Sequence, residues 1–222
     1  MHKLSQGSHT ISKPSKLETN FRSHTGILQL AATVLKKLFI AFPASAAAHT
    51  TDVGISNGPR PEFHLCSSSR HTDDDSPDIK LIKNLMAVNE RLMILTPESN
   101  MERLNLLLGN PMQLLGVRQS KGLEFTDILL VDFFGSLPKS DWKAWKTLVD
   151  VDQHGEQYPQ VEHQLKLLYV AITRACNRLI FIETKPSGMY HHHLSISLHY
   201  YNIRINKKLL RGCSSFGPIL MF

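Results

Sequence analysis

Three short segments of this 222-residue chain carry residue types able to do chemistry. The first is Asn20-Phe21-Arg22-Ser23, just ahead of a stretch with helical periodicity. An aromatic ring beside an arginine can stack on a base while the guanidinium meets a phosphate. Taken alone, a loop with a surface arginine is the better account. The second is Ser120-Lys121-Gly122-Leu123-Glu124-Phe125, between two strand-like runs. Glycine lets a ligand approach the backbone, and a carboxylate there can accept hydrogen bonds from ribose hydroxyls. A tight turn with a solvated Lys and Glu is the plain alternative. The third is Leu168-Tyr169-Val170-Ala171-Ile172-Thr173-Arg174-Ala175. Leu165, Leu168, Tyr169 and Ile172 stand at helical spacing and form one stripe. At about 100° per residue, Arg174 projects away from that stripe and is expected to reach across an interface. An amphipathic helix with a solvated arginine is the alternative.

The elements that must position these residues follow from periodicity and punctuation. Leu17 to Ser23 reads as a strand end or loop, and Ile27 to Phe42 as a helix stopped by Pro43. Residues 44–77 are rich in Ser, Gly, Pro and Asp and read as a loop-rich linker, with one short strand at Glu62 to Leu65. Asp78 to Val88 is expected to be a helix, Arg91 to Thr96 a strand, Glu98 to Leu108 a helix, and Gln113 to Arg118 a strand. Asp127 to Phe134 is the strongest buried strand. A helix over Val161 to Cys176 and a strand over Arg178 to Glu183 complete the pattern. Strands alternating with helices imply an α/β fold, a mostly parallel sheet with helices on both faces.

Composition narrows the classes. The net charge is +6, but Met1 to Leu17 and Lys185 to Phe222 hold eight basic residues and no acid. The middle has 17 basic against 19 acidic residues, so any phosphate-backbone surface must be local or use the ends. Cys66, Cys176 and Cys213 show neither metal nor disulfide spacing, which favours a reducing compartment. The N-terminus lacks the apolar core of a signal peptide, and Gly26 to Phe42 is too short and too charged to span a bilayer. Residues 1–16 are expected to be a disordered extension, 17–184 the domain, and 185–222 a basic tail outside it. Asp73-Asp74-Asp75 reads as a solvated loop. His191-His192-His193 cannot all face one metal on an extended chain, so no metal site is expected.

Together and in this order, the three segments resemble motifs IV, V and VI of the UvrD/Rep-type superfamily 1 helicases. Leu17 to Ser23 is similar to the family's Asn-Tyr-Arg-Ser pattern. Lys121 to Phe125 is its Lys-Gly-Leu-Glu-Phe unchanged, and Leu168 to Ala175 its Leu-Tyr-Val-Ala-x-Thr-Arg-Ala. A closer likeness is to the UvrD-like segments of large TPR- and ankyrin-repeat proteins. It is carried by Asn20 to Ile27, by Ser120 to Phe134 and by Trp142 and Trp145, and it covers about Leu17 to Thr184. The resemblance implies the second RecA-like domain of a motor, its fold that of the P-loop NTPases, partial or truncated. In such a motor ATP lies between two domains, and the first supplies the phosphate loop and the acids that hold Mg²⁺. By position, Arg22 and Arg174 would be the γ-phosphate arginines, Phe21 would stack near the adenine, and Glu124 would bind ribose with Gly122 giving it room. Arg118, Ser120 and Lys121 would lie along single-stranded nucleic acid.

Departures from the pattern set limits. Gly116-Val117-Arg118 stands where the family has Thr-x-His, which alters the nucleic-acid contacts. Neither a G-x-x-x-x-G-K-[ST] loop nor an Asp-Glu-x-Gln box occurs, so the chain alone is expected to be inactive. Its expected partner is a P-loop domain in cis, with single-stranded nucleic acid second and no membrane, in the nucleus or cytoplasm. A non-catalytic RecA-like interaction or regulatory domain of a repeat protein is the other reading.

Overall fold

Strand residues sort by parity onto two apolar faces, which is what a parallel sheet covered on both sides requires. The computed structural model describes residues 19–45, 52–66, 76–138, 140–142, 144–145, 158–184 and 204–205. In chain order these form β1 (Thr19–Asn20), α1 (Thr25–Ala41), β2 (Val53–Gly54), β3 (Glu62–Cys66), α2 (Pro77–Val88) and β4 (Leu92–Thr96). After a 3₁₀ turn at Glu98–Asn100 come α3 (Met101–Leu108), β5 (Leu114–Gly116), β6 (Phe125–Val131), α4 (Pro159–Ile172), β7 (Ala175–Thr184) and β8 (Arg204–Ile205). The main sheet runs β5-β4-β6-β7-β3-β8 in space and is parallel at every pairing. β1 and β2 pair separately, also in parallel.

On one face, Leu95, Ile128, Leu130, Leu179 and Phe181 share a core with Ile27, Leu30 and Val34 of α1 and Val161, Leu165 and Ile172 of α4. On the other, Ile94, Leu129, Val131, Ile180 and Ile182 pack with Ile79 and Ile82 of α2 and Leu104 of α3. Each such side chain taken fully out of water contributes about 1.5–3 kcal/mol. The expected α/β class, a mostly parallel sheet between helices, is what forms. Phe133, Phe134 and Trp145 extend the first core beyond the end of β6, with Phe134 edge-on to Trp145 at 5.6 Å. The Trp145 indole N–H donates to Gln164.

Several boundaries differ from expectation for physical reasons. The strand expected over Asp127 to Phe134 begins at Phe125 and stops at Val131. Asp132 there takes a left-handed φ of 48°, turning the chain out of the sheet. The last helix ends at Ile172, so Ala175 and Cys176 belong to β7 rather than to the helix. The 44–77 region is more than linker, since Glu62–Cys66 pairs with β7 and Phe63 is buried. Arg204–Ile205, within the expected tail, pairs with Glu62 and Phe63 at the sheet edge. The expected disordered extension and the three adjacent histidines lie outside the described residues.

The carboxyl ends of the strands close over a buried charge cluster. Arg103 of α3 donates to Asp78 at 2.9 Å and to Asp132 at 3.3 Å. Asp132 also accepts the Thr184 N–H and hydroxyl, both at 2.7 Å. Glu183 accepts the N–H groups of Phe134 at 3.2 Å and Gly135 at 2.9 Å. Complete burial, with Asp132 adding to it, holds the Glu183 carboxyl well above the usual carboxylate range. Burial likewise raises Asp132, against its bonds from Thr184 and the pull of Arg103.

Candidate functional site

The opposite ends of the same strands bring all three segments together. Asn20 makes the turn that presents the first. Its side-chain oxygen accepts the N–H groups of Arg22 at 2.9 Å and Ser23 at 3.0 Å, fixing Phe21 and Arg22 outward. Its amide nitrogen donates to Asp52 at 3.3 Å, tying the turn to the chain leading into β2. Ser23 then donates its hydroxyl to the Ala175 carbonyl at 2.6 Å, at the first residue of β7. His24 caps α1. Its Nδ1 accepts the Gly26 N–H at 3.0 Å, so Nε2 carries the proton and donates to the Asn177 carbonyl at 2.7 Å. A side chain at Gly58 would place a Cβ 2.2 Å from that imidazole ring, so the position has room for glycine alone.

The second segment reaches the site without a helix. Chain leaving β5 runs back across the α1/α4 face and re-enters the sheet at Phe125. Val117 is buried on that path, and Ser120 is fully buried with its hydroxyl donated to the Val117 carbonyl at 2.7 Å. Ser120 therefore braces the turn and presents no hydroxyl to solvent. Gly122 takes a φ of 88° with open space about it, so its backbone conformation rather than crowding calls for glycine. Lys121, Gly122, Leu123 and Glu124 are all exposed. Arg118 is exposed too. Its N–H donates to Glu98 at 2.8 Å, and its guanidinium lies 2.9 Å from the His163 Nε2.

Arg174 does not ride the helix as periodicity suggested. It sits in the two-residue turn between α4 and β7, and its guanidinium folds back. It donates to the carbonyls of Leu123 at 2.9 Å and Val170 at 3.2 Å, and to the Thr173 hydroxyl at 3.3 Å. The Phe125 N–H donates to the Arg174 carbonyl at 2.9 Å, binding the second and third segments through backbone. Arg22 closes the cluster with an ion pair to Glu124, Nε to Oε2 at 2.5 Å. Partial burial and the neighbouring Arg22 charge both lower the Arg174 pKa.

Phe21 is 81% exposed beside this cluster, a bare ring with no core role. A groove of about 540 Å³ opens next to the arginines, lined by Arg22, Arg174, Asp52 and Tyr169 together with Leu35 and Phe39 of α1. Burial raises the Tyr169 hydroxyl pKa, with the Asp52 charge adding to it. The sequence singled out Phe21, Arg22, Glu124 and Arg174, and these meet at one edge. Arg118 lies instead beside α4, and Ser120 is inside. Asp52, His24 and Thr173 have no role assigned from sequence; His24 follows Arg22 by two positions at a helix start, the one local signal for it. Among the described residues no group of His, Cys, Asp or Glu is placed to hold a metal ion. Nor is any described helix long and apolar enough to cross a membrane.

Comparison with known proteins supplies a family. The model of the UvrD-like helicase C-terminal domain matches residues 63–186. TPR and ankyrin repeat-containing protein 1 of Homo sapiens is 29% identical over 210 residues, covering 79% of this chain. The match takes in only 7% of that protein's length. Among solved structures, the C-terminal domain of a possible DNA helicase from Lactobacillus plantarum is similar with a TM-score of 0.47 and 15% identity. That likeness covers 85% of this chain and 99% of the other.

Proposed function

The chain belongs to the family of UvrD-like helicase C-terminal domains, and from that premise we propose that it supplies the arginine half of an ATP site in a nucleic-acid motor. One observation carries the reading: Arg22, Glu124 and Arg174, far apart in sequence, converge on one solvent-facing edge. A phosphoryl group in transfer spreads negative charge over its equatorial oxygens, and pre-positioned guanidinium groups stabilise that charge. Arg174 is pre-positioned by three neutral acceptors, so a phosphate need not displace a carboxylate bonded to it. Arg22 stands next to it on a turn fixed by Asn20. The exposed Phe21 ring offers a face for the adenine, and Glu124, beyond the glycine turn, offers acceptors for the ribose. The phosphate loop and the acids for Mg²⁺ belong to a P-loop domain joined to this one, and ATP lies between the two. Lys121 of the second segment and Arg118 just ahead of it are exposed cations and the candidates for contact with single-stranded nucleic acid.

The decisive experiment is ATP turnover by a polypeptide that joins this chain to its P-loop domain. Arg174→Ala is expected to lower turnover by about 10³–10⁵-fold, the range for an arginine finger, while ATP still binds. An unchanged rate in an active protein would remove Arg174 from the mechanism. The second reading is a RecA-like interaction domain without turnover. Gly116-Val117-Arg118 and the sealed Ser120 favour it, since they leave few groups for nucleic acid. That reading predicts no ATP turnover by the joined polypeptide, with or without single-stranded DNA or RNA.

A further inference from the structure

Two guanidinium groups share one exposed corner, and each needs a partner when no phosphate is there. Arg174 meets only neutral acceptors: two carbonyls and a hydroxyl. Asp52 faces Asn20 rather than either arginine. The carboxylate bonded to Arg22 is Glu124, a residue 102 positions away. Glu124 uses the Nε side of the guanidinium, and its side chain is 58% exposed. It stands two residues after Gly122, whose surroundings are open, within a run of four exposed residues. It has space to swing away without disturbing the core.

We propose that Glu124 is the resting counter-ion of Arg22 and that an incoming phosphate displaces it, so that Glu124 selects nucleotides over bare polyphosphate. The inference rests on the reading that Arg22 and Arg174 receive phosphate. One carboxylate–guanidinium bond breaks as one phosphate–guanidinium bond forms, and no proton needs to move. A ligand carrying a ribose gives the freed carboxylate new hydrogen-bond donors. A polyphosphate without a sugar leaves it unpartnered beside added negative charge. Glu124 therefore acts as a specificity-determining residue, disfavouring the anion that matches the arginines but lacks the sugar.

The test is calorimetric titration of the full 222-residue chain with sodium tripolyphosphate and, separately, with ATP. Glu124→Gln is expected to tighten tripolyphosphate binding about two- to fivefold, the scale of one exposed ion pair. ATP affinity is expected to stay level or fall, so the preference for ATP shrinks. In an Arg22→Ala background, Glu124→Gln is expected to tighten tripolyphosphate binding by less than it does in the parent chain. Thermal melting of each variant verifies folding. If Arg22→Ala and Arg174→Ala leave tripolyphosphate binding intact, the phosphate reading itself fails. If they weaken it but Glu124→Gln does not tighten it, the counter-ion role alone is overturned. A gain that is undiminished without Arg22 also overturns it, because the carboxylate would then act only through general charge. Binding by neither the parent chain nor Glu124→Gln counts against it as well; binding by Glu124→Gln alone supports it.

Discussion

Both ends of the sheet gather arginine with carboxylates, but under opposite conditions of solvent. At the carboxyl ends of the strands, Arg103 lies between Asp78 and Asp132, and Glu183 is enclosed beside them. At the amino ends, Arg22 and Glu124 meet with side chains 46% and 58% exposed. Buried charges lose their hydration and must be compensated where they stand, so they fix structure. Exposed charges lose little and can change partners at small cost, which suits a surface that receives a ligand. The chemistry is the same at both ends, and solvent access decides what each end does.

The largest effect that would break this comparison concerns Arg103. Arg103→Met leaves Asp78 and Asp132 buried without a cation and is expected to cost about 3–5 kcal/mol in urea denaturation. A loss under about 1 kcal/mol would show that the carboxyl end tolerates unpaired charge as the amino end does. Next is the neutral scaffolding of the exposed end. Gly58→Ala drives a Cβ into the His24 ring and is expected to cost about 1–3 kcal/mol by overpacking. That outcome would place the stability of the amino end in the His24 cap rather than in its ion pair.

The third prediction separates the acids by the direction in which pH acts. Glu183 is raised in the folded state, so its contribution is complete below the ordinary carboxyl pKa and is lost as pH rises through the folded value. Glu62 of β3 is the reverse. Bonds from His64 and Arg178 outweigh burial and hold it at about 2, so its contribution is present above about 4.5 and lost as pH falls toward 2. Thermal melts across pH are expected to show Glu183→Gln flattening the decline that sets in above the ordinary carboxyl pKa. Glu62→Gln should flatten the decline on the acid side. Identical profiles for both variants would contradict the assignment. The smallest effect is Arg22→Ala, expected to change stability by less than about 1 kcal/mol, because the pair is solvated. A larger loss would mean that Arg22 holds the fold, and the contrast between the two ends would weaken.

The sequence made much of this arrangement legible, and the limits follow from what is local. The runs Ile128 to Val131 and Leu179 to Ile182 are apolar on both parities, which identifies central strands of a covered parallel sheet. Phe21, Arg22, Glu124 and Arg174 stand in short patterns whose order is informative without any knowledge of contacts. The buried acids were not legible. Asp78, Asp132 and Glu183 look like ordinary surface carboxylates until it is known that β7 lies between β6 and β3. The end of α4 was misplaced because Ala175 and Cys176 suit helix and strand alike. Register settles it, with Ala175 aligned to Phe125 of β6. The burial of Ser120 has no local sign either: it is a small polar residue in a glycine turn, and the returning chain presses it onto the core.

One tether at the start of β7 has a mechanical meaning. The Ala175 carbonyl holds Ser23, the Asn177 carbonyl holds His24, and the Arg174 carbonyl holds the first residue of β6. Two segments from distant parts of the chain thus hang from four consecutive residues, as levers hang from one axle. A displacement of that strand end carries both guanidinium groups and the carboxylate together. The relative placement of the backbones that carry them is preserved, while each exposed side chain stays free to change partner. If this edge faces a second domain, as proposed above, it can approach and withdraw as one piece, already assembled.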